Sequence, residues 1–176
     1  MKATGVVRRI DDLGRIVIPK EIRKSLRIRE GDSLEIYTDG SDSIILKKYS
    51  HVENINNFIT QYVEAVYASS KRDIIVTDTE RVIAAAGNFR RDIVGKKITS
   101  SLDEKIQKRA LQKFEKGEVL EITDNFSINQ SAILKPITVY GDIIGAAIVI
   151  GENTIGDIEK SLVDITTSFI GKYLES

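Results

Sequence analysis

Residues 11–26 read DDLGRIVIPKEIRKSL, and this stretch decides the organisation of everything around it. Asp-Asp-Leu-Gly at 11–14 is a turn signal. It separates two β-rich runs, VVRRI at 6–10 and RIVIP at 15–19. Pro19 suits the first turn of a helix, so PKEIRKSLR is expected to be helical. Ile22 and Leu26 stand at i, i+4 and share one apolar face. Arg23, Lys24 and Arg27 are left facing elsewhere. Glu-Gly-Asp at 30–32 marks another turn. LEIY and SIILKK then pair across Thr-Asp-Gly-Ser-Asp at 38–42, a hairpin pattern.

The charge is unevenly placed. The 176 residues hold 26 bases and 26 acids, but residues 1–29 carry nine bases against three acids, a local charge of +6. The bases are Lys2, Arg8, Arg9, Arg15, Lys20, Arg23, Lys24, Arg27 and Arg29. The remainder of the chain is therefore −6. A neutral protein with a basic head points to a local polyanion site. A solvated surface with ion pairs to Asp11, Asp12 and Glu21 accounts for the same charges, and charge alone does not separate the two. The acids also suit a role in holding the turn or orienting Arg8, Arg9 and Arg15.

Fifty residues make a marginal core, and small units commonly need disulfides, metals or oligomerisation. The chain has no cysteine, and His51 is its one histidine, so disulfides and Cys- or His-rich metal sites are excluded. Ile16-Val17-Ile18 and Ile44-Ile45-Leu46 are nonetheless continuous apolar runs, which suits strands covered on both faces. A dimer in which two chains complete one core resolves the conflict. Arg8 and Arg15 then come to one end of the sheet, with Arg23 and Lys24 on the polar side of the helix. A guanidinium fork matches phosphate and the O6/N7 edge of guanine, and a two-fold protein favours two-half-site DNA.

KATGVVRRIDDLGRIVIPKEIRKSLRIREGDSLEIY, continued by IILKKY, is very similar to the AbrB-type swapped-hairpin DNA-binding domain of bacterial transition-state regulators. The resemblance implies two chains interleaving hairpins into one small barrel-like dimer on double-stranded DNA. It implies that Arg8, Arg15, Arg23 and Lys24 contact DNA, with Arg9 as a further candidate. It also implies that DNA shape is read over a strict consensus. The same family includes antitoxins that bind DNA and a toxin protein, which is the alternative reading.

The rest of the chain reads as a second domain. Residues 51–70 have no Gly or Pro, and Ile55, Ile59, Tyr62 and Val66 recur at helical spacing, so a stiff helical joint is expected. IIVTD and RVIAAAG form a hairpin around Asp78-Thr79-Glu80. Residues 101–116 are expected to be a charged amphipathic helix. VLEIT, SAILKPITV and IIGAAIVIG read as strands. A closing helix starts near Thr154 or Gly156-Asp157 and carries Ile158, Leu162, Ile165, Phe169 and Tyr173 on one stripe. The two apolar stripes either cover one face of the sheet or bundle with those of another chain, which would give a tetramer.

PITVYGDIIGAAIVIG resembles the closing strands of a GAF domain. The resemblance implies an α/β sensory domain at 71–176, after an AbrB-like domain at 1–50 and the joint at 51–70. The expected fold class is thus α+β, a swapped-hairpin β-barrel dimer followed by a GAF-like domain. A head and domain in this order resemble sporulation regulators of endospore-forming Firmicutes. That implies an activator and repressor of sporulation genes, acting in the cytoplasm at the nucleoid of the forespore. No cofactor is expected, and the identity of any small-molecule ligand is left open. Thr77, Asp78, Asn88 and Arg90 are unranked candidates for its pocket. Arg90-Arg91 reads as an exposed turn pair, Gly141 and Gly145 as turn and packing residues, and Asp103-Glu104 as helix-start acids. There is no phosphate-loop pattern, nucleophile elbow or membrane-length apolar run, so neither an enzyme nor a membrane protein is expected.

Overall fold

IIVTD at 74–78 is buried at every position, as is VIAAA at 82–86. Strands that are apolar throughout need cover on both faces, and the fold supplies it. In the computed structural model, which describes residues 5–38, 40, 43–49, 56–88 and 90–175, the chain divides into two compact units, 1–49 and 50–176.

The second unit is built on a five-stranded antiparallel sheet. β3 (Ile74–Asp78) and β4 (Val82–Ala86) form a hairpin. β5 (Gln112–Phe114), β8 (Ala132–Val139) and β9 (Asp142–Ile150) complete the order β4-β3-β9-β8-β5. A separate hairpin pairs β6 (Leu120–Thr123) with β7 (Phe126–Ile128). Alternation assigns the faces. Ile74, Val76, Ala147 and Val149 join Ile59 and Val63 of α2 (Asn56–Ser70) and Val163 and Ile170 of α5 (Asp157–Glu175). Ile75, Ala146, Ile148 and Ile150 join a cluster on the other face. It includes Ile93 of α3 (Arg90–Ile93), Leu102 and Ile106 of α4 (Ser100–Ile106), and Leu120 and Ile122 of β6. Pro136 lies beyond the three residues of β8 that pair with β5, where β8 is an edge strand on that side. A Cβ on Gly145 would stand 1.9 Å from the Thr77 carbonyl oxygen, so close strand packing requires glycine there.

Three expectations for this unit need correction. The helix expected over 101–116 ends at Ile106, and the chain turns at Arg109 (φ 58°) into β5 on the edge of β8. Sheet pairing overrides the charged helical pattern. The helix expected to be a joint is a layer of the second unit, since Ile59 and Val63 are fully buried in its core; His51 and Ile55 lie outside the described residues. The stripe Ile158–Tyr173 covers the sheet only through Leu162, which packs against its core cluster. The sheet-facing residues of α5 include Glu159, Val163, Thr166 and Ile170, while Ile158, Ile165, Phe169 and Tyr173 are exposed.

The first unit contains α1 (Lys20–Ser25) and a hairpin of β1 (Leu34–Thr38) with β2 (Ile44–Lys48). The strands expected at 6–10 and 15–19 are not formed within the chain. Among the described residues, the backbone hydrogen bonds of 5–18 are confined to the 11–15 turn. These runs have no ladder partner here, and extended backbone without one is not a strand. α1 buries no residue, and Val7, Ile10, Leu13, Ile16, Val17, Leu26, Ile36 and Ile44 are exposed. Among the described residues of both units, no helix is long and apolar enough to cross a membrane.

Candidate nucleic-acid interface

The 11–15 turn is built around one carboxylate. Asp11 Oδ1 accepts from the backbone N–H of Leu13 at 3.0 Å and of Arg15 at 2.7 Å. Its Oδ2 accepts from Arg15 Nε at 2.8 Å. Gly14 takes φ +75°, which glycine adopts without a Cβ clash, and its N–H donates to the Asp11 carbonyl. The backbone and side-chain N–H groups of Arg15 hold the Asp11 carboxyl below its ordinary range. Asp11 thus fixes the inner edge of an exposed guanidinium whose side chain remains 71% accessible.

Helix α1 begins after Pro19, and its last turn holds Arg23 and Lys24, both exposed. The helix closes in a Schellman arrangement. Ile28 N–H donates to the Arg23 carbonyl at 2.7 Å and Arg27 N–H to the Lys24 carbonyl at 3.2 Å. Lys48 Nζ donates to the Arg27 carbonyl at 3.2 Å and pairs with Asp32 at 3.1 Å, tying this turn to β2. Around the closure lies an open concavity of about 360 Å³, lined by Lys20, Arg23, Lys24, Arg27, Ile28 and Arg29.

The expected site residues are distributed as follows. Arg23 and Lys24 share this basic concavity. Arg8 lines a different, mainly apolar one of about 210 Å³, with Ile16, Pro19, Ile22 and Leu26 among its walls. Arg15 stands on the turn, and Arg9 is exposed beside Arg8. Lys20, Arg27 and Arg29 are residues that sequence reasoning counted as charge but did not assign to a site. The signal available was an arginine immediately after Leu26, where helices commonly end on glycine.

In the second unit, Thr77 and Asp78 are buried in β3. Asp78 Oδ1 accepts from the N–H groups of Glu80 and Arg81, both at 2.6 Å, so it holds the hairpin turn. Asn88 bonds to Asp73, whose carboxyl burial pushes up against those bonds. The side chains of Arg90 and Arg91 lie outside the described residues. A mixed-charge concavity of about 180 Å³ between α3 and the β6–β7 hairpin is lined by Asp92, Lys96, Lys97 and Asn125 among others.

Residues 54–175 match the family described as stage V sporulation protein T C-terminal, transcription factor. Over 177 aligned residues, 99% of each chain, the protein is 37% identical to stage V sporulation protein T of Bacillus subtilis (strain 168). The chain belongs to the stage V sporulation protein T family. The sporulation protein T match spans both units. The head alone is 61% identical over 49 residues to the transition state regulatory protein AbrB of the same organism, covering 28% of this chain and 50% of AbrB. Residues 7–54 also match the family described as antidote-toxin recognition MazE, bacterial antitoxin. The second unit has the fold of the cofactor binding GAF domain of the nutrient sensor CodY from Clostridium difficile. That likeness has a TM-score of 0.50 at 12% identity, over 65% of this chain and 83% of that one. The fold class is α+β, an AbrB-like head followed by a GAF-like unit.

Proposed function

We propose that this member of the sporulation protein T family regulates sporulation genes by docking on double-stranded DNA as a dimer. The observation that carries the reading is the head itself. It exposes an excess of bases on a unit that also exposes its own apolar residues. A second copy lending strands to 6–10 and 15–19 would bury that surface and complete the ladders. It would also present Arg8, Arg15, Arg23 and Lys24 twice, with Arg9 beside them. The arginines supply forks for phosphate or guanine, and Lys24 a point charge. Phosphate contacts of this kind position the protein, while DNA deformability selects sites. Whether a given promoter is activated or repressed follows from where the dimer sits.

The GAF-like unit serves as the regulatory part. The outward apolar face of α5 meets α2 through Phe58 and Tyr62. Phe58 stacks on Tyr173 at 4.4 Å between ring centroids, and Tyr62 on Phe169 at 4.8 Å. This aromatic strip suits pairing with the same face of another chain, making a tetramer of two DNA-binding dimers. We read the chain as a regulator and not an enzyme, acting in the cytoplasm at the nucleoid of the forespore. The match of the whole chain to sporulation protein T favours this over the antitoxin reading.

Duplex binding by the intact chain tests the proposal. Binding should weaken with salt by about 0.9 log units per log salt for each phosphate met. Arg8→Ala, Arg15→Ala and Arg23→Ala should each weaken binding while the dimer persists. An Arg15→Ala chain that binds as well as the parent would show the site to be misassigned.

A further inference from the structure

Residues 105–116, KIQKRALQKFEK, carry five bases and one acid, a local charge of +4. They belong to a unit, residues 50–176, whose 15 bases and 18 acids leave it at −3. The fold lays these bases along one border of the five-stranded sheet. Lys105 is in the last turn of α4, and Lys108 and Arg109 lie between α4 and β5. Lys113 is the middle residue of the edge strand β5, and Lys116 stands just past it. All but Lys105 are exposed.

The groups that hold these side chains are neutral. Lys105 Nζ donates to Ser101 Oγ at 3.1 Å, Arg109 Nη1 to the Gly141 carbonyl at 2.7 Å, and Lys116 Nζ to Asn153 Oδ1 at 3.0 Å. Among the described residues, none of the five bases forms an ion pair. Arg72 and Lys135 of the same unit are by contrast matched to Glu152, Glu159 and Asp164. Cations held by neutral acceptors are positioned with their charge uncancelled, so their field reaches a partner. A lysine on an edge strand also guards a sheet against pairing with another chain, which accounts for Lys113 but not for the four bases off the strand.

The shape of the charge selects the partner. Backbone spans at most about 3.6 Å per residue, so Arg109 to Lys116 spreads cations over up to roughly 25 Å. A small anion meets such a row at one point. Duplex DNA offers one phosphate charge per about 1.7 Å of axis along its whole length. The head, once docked, keeps this unit near the same duplex through the chain. Each contact made here is then intramolecular and needs little affinity of its own.

We infer that the border formed by residues 105–116 is a second surface for the DNA backbone, through which the GAF-like unit grips phosphates beyond those met by the head. The inference rests on the DNA-binding reading and extends it to the regulatory unit. Contacts of this kind add affinity without reading sequence.

The test uses the intact chain and a duplex of about 40 base pairs, which extends past two half-sites one helical turn apart. Lys108, Lys113 and Lys116 are replaced together by glutamine. The plot of log affinity against log salt should become shallower by about 0.9 for each phosphate given up, or about 2.7 per protomer for three. Lys108→Gln alone should lose about 0.9. The same three positions changed to arginine should keep the parent slope, as should Lys160→Gln with Lys172→Gln, a control pair exposed on α5. The melting temperature and sedimentation of each variant should match the parent's. A parent slope in the glutamine variants, or an equal loss per charge in the control pair, overturns the inference while the DNA-binding reading of the head stands. Failure of the parent itself to bind duplex overturns both.

Discussion

Replacing Ile165 with aspartate should split the assembly at the GAF-like unit and leave the head dimer intact. The size of the effect follows from the exposed face of α5. Ile158, Ile165, Phe169 and Tyr173 are 57%, 59%, 39% and 44% exposed. Burying a whole side chain of this kind is worth about 1.5–3 kcal/mol. The four exposed fractions amount to roughly two whole side chains per protomer, so a two-fold pair gains about 6–12 kcal/mol. Association costs of about 4–15 kcal/mol stand against this. The balance is close enough for one residue to decide it. Losing Ile165 removes about 1–2 kcal/mol per protomer, and symmetry doubles the loss. About 3 kcal/mol is a hundredfold in dissociation constant, and a buried carboxylate adds to it. Sedimentation of the intact chain over a hundredfold concentration range reads the outcome. The parent should reach tetramer, while Ile165→Asp stops at dimer with unchanged helix content by circular dichroism. Identical sedimentation of the two chains at every concentration would refute the reasoning.

Two further outcomes are expected. Asp11→Asn keeps an oxygen for the Leu13 and Arg15 N–H groups but loses the charge on Arg15 Nε, so the turn should survive while the guanidinium loses its fixed edge. Affinity for random-sequence duplex should rise and the ratio of preferred to random binding should fall; an unchanged ratio in competition binding would show that Asp11 does not orient Arg15. In the second unit, Arg72 Nε donates to Glu159 at 2.7 Å. Burial would raise the Glu159 carboxyl, but its backbone hydrogen bonds and Arg72 together lower it. Its contribution is therefore present above the ordinary glutamate range, near pH 4.3, and is lost as pH falls through its lowered value. Glu159→Gln should cost about 1–2 kcal/mol at neutral pH, or about 3–6 °C in melting temperature, and the difference from the parent should close in acid. A gap that stays constant down to pH 3 would count against an ionic origin.

The head was legible in kind but not in connectivity. DDLGRIVIP announces two β-rich runs about a turn, and the Asp11 hydrogen bonds form that turn. β propensity does not say whose strand completes the ladder. Among the described residues, the backbone groups of 6–10 and 16–18 find no ladder partner within one chain. The basic residues were legible as charge, but their grouping was not. Arg23 and Lys24 meet Lys20, Arg27 and Arg29 only because the Schellman turn folds the chain back on α1. In the second unit β3, β4, β8 and β9 were readable as apolar runs, since strands covered on both faces are apolar nearly throughout. Over 107–116 the charged pattern suits a helix, and the free edge of β8 decides for a strand.

Helix α5 shows why a hydrophobic stripe is not by itself a core stripe. Ile158, Ile165, Phe169 and Tyr173 face outward, and its buried face carries Glu159, Thr166, Thr167 and Gly171 beside Val163 and Ile170. Each of these polar or small residues is buried for a local reason that periodicity cannot see, Thr166 through a 3.3 Å hydrogen bond with the Tyr62 hydroxyl. Glu159 is paired with Arg72 and accepts from Gly156 N–H. Thr167 returns its hydroxyl to the Val163 carbonyl at 2.9 Å. At Gly171 an added Cβ would come within 2.9 Å of the Thr138 carbonyl, so its absence lets α5 lie close on β8. Polar and small residues thus bring the helix down on the sheet. That frees Ile158, Ile165, Phe169 and Tyr173 for the other side, where α2 covers only part of them. A helix that packs polar and small residues beside Val163 and Ile170 on its core, and leaves Ile158 and Ile165 outside, has two apolar faces. In the proposed tetramer the second would be buried against another chain, and the same reasoning applies to the exposed isoleucines and valines of the head.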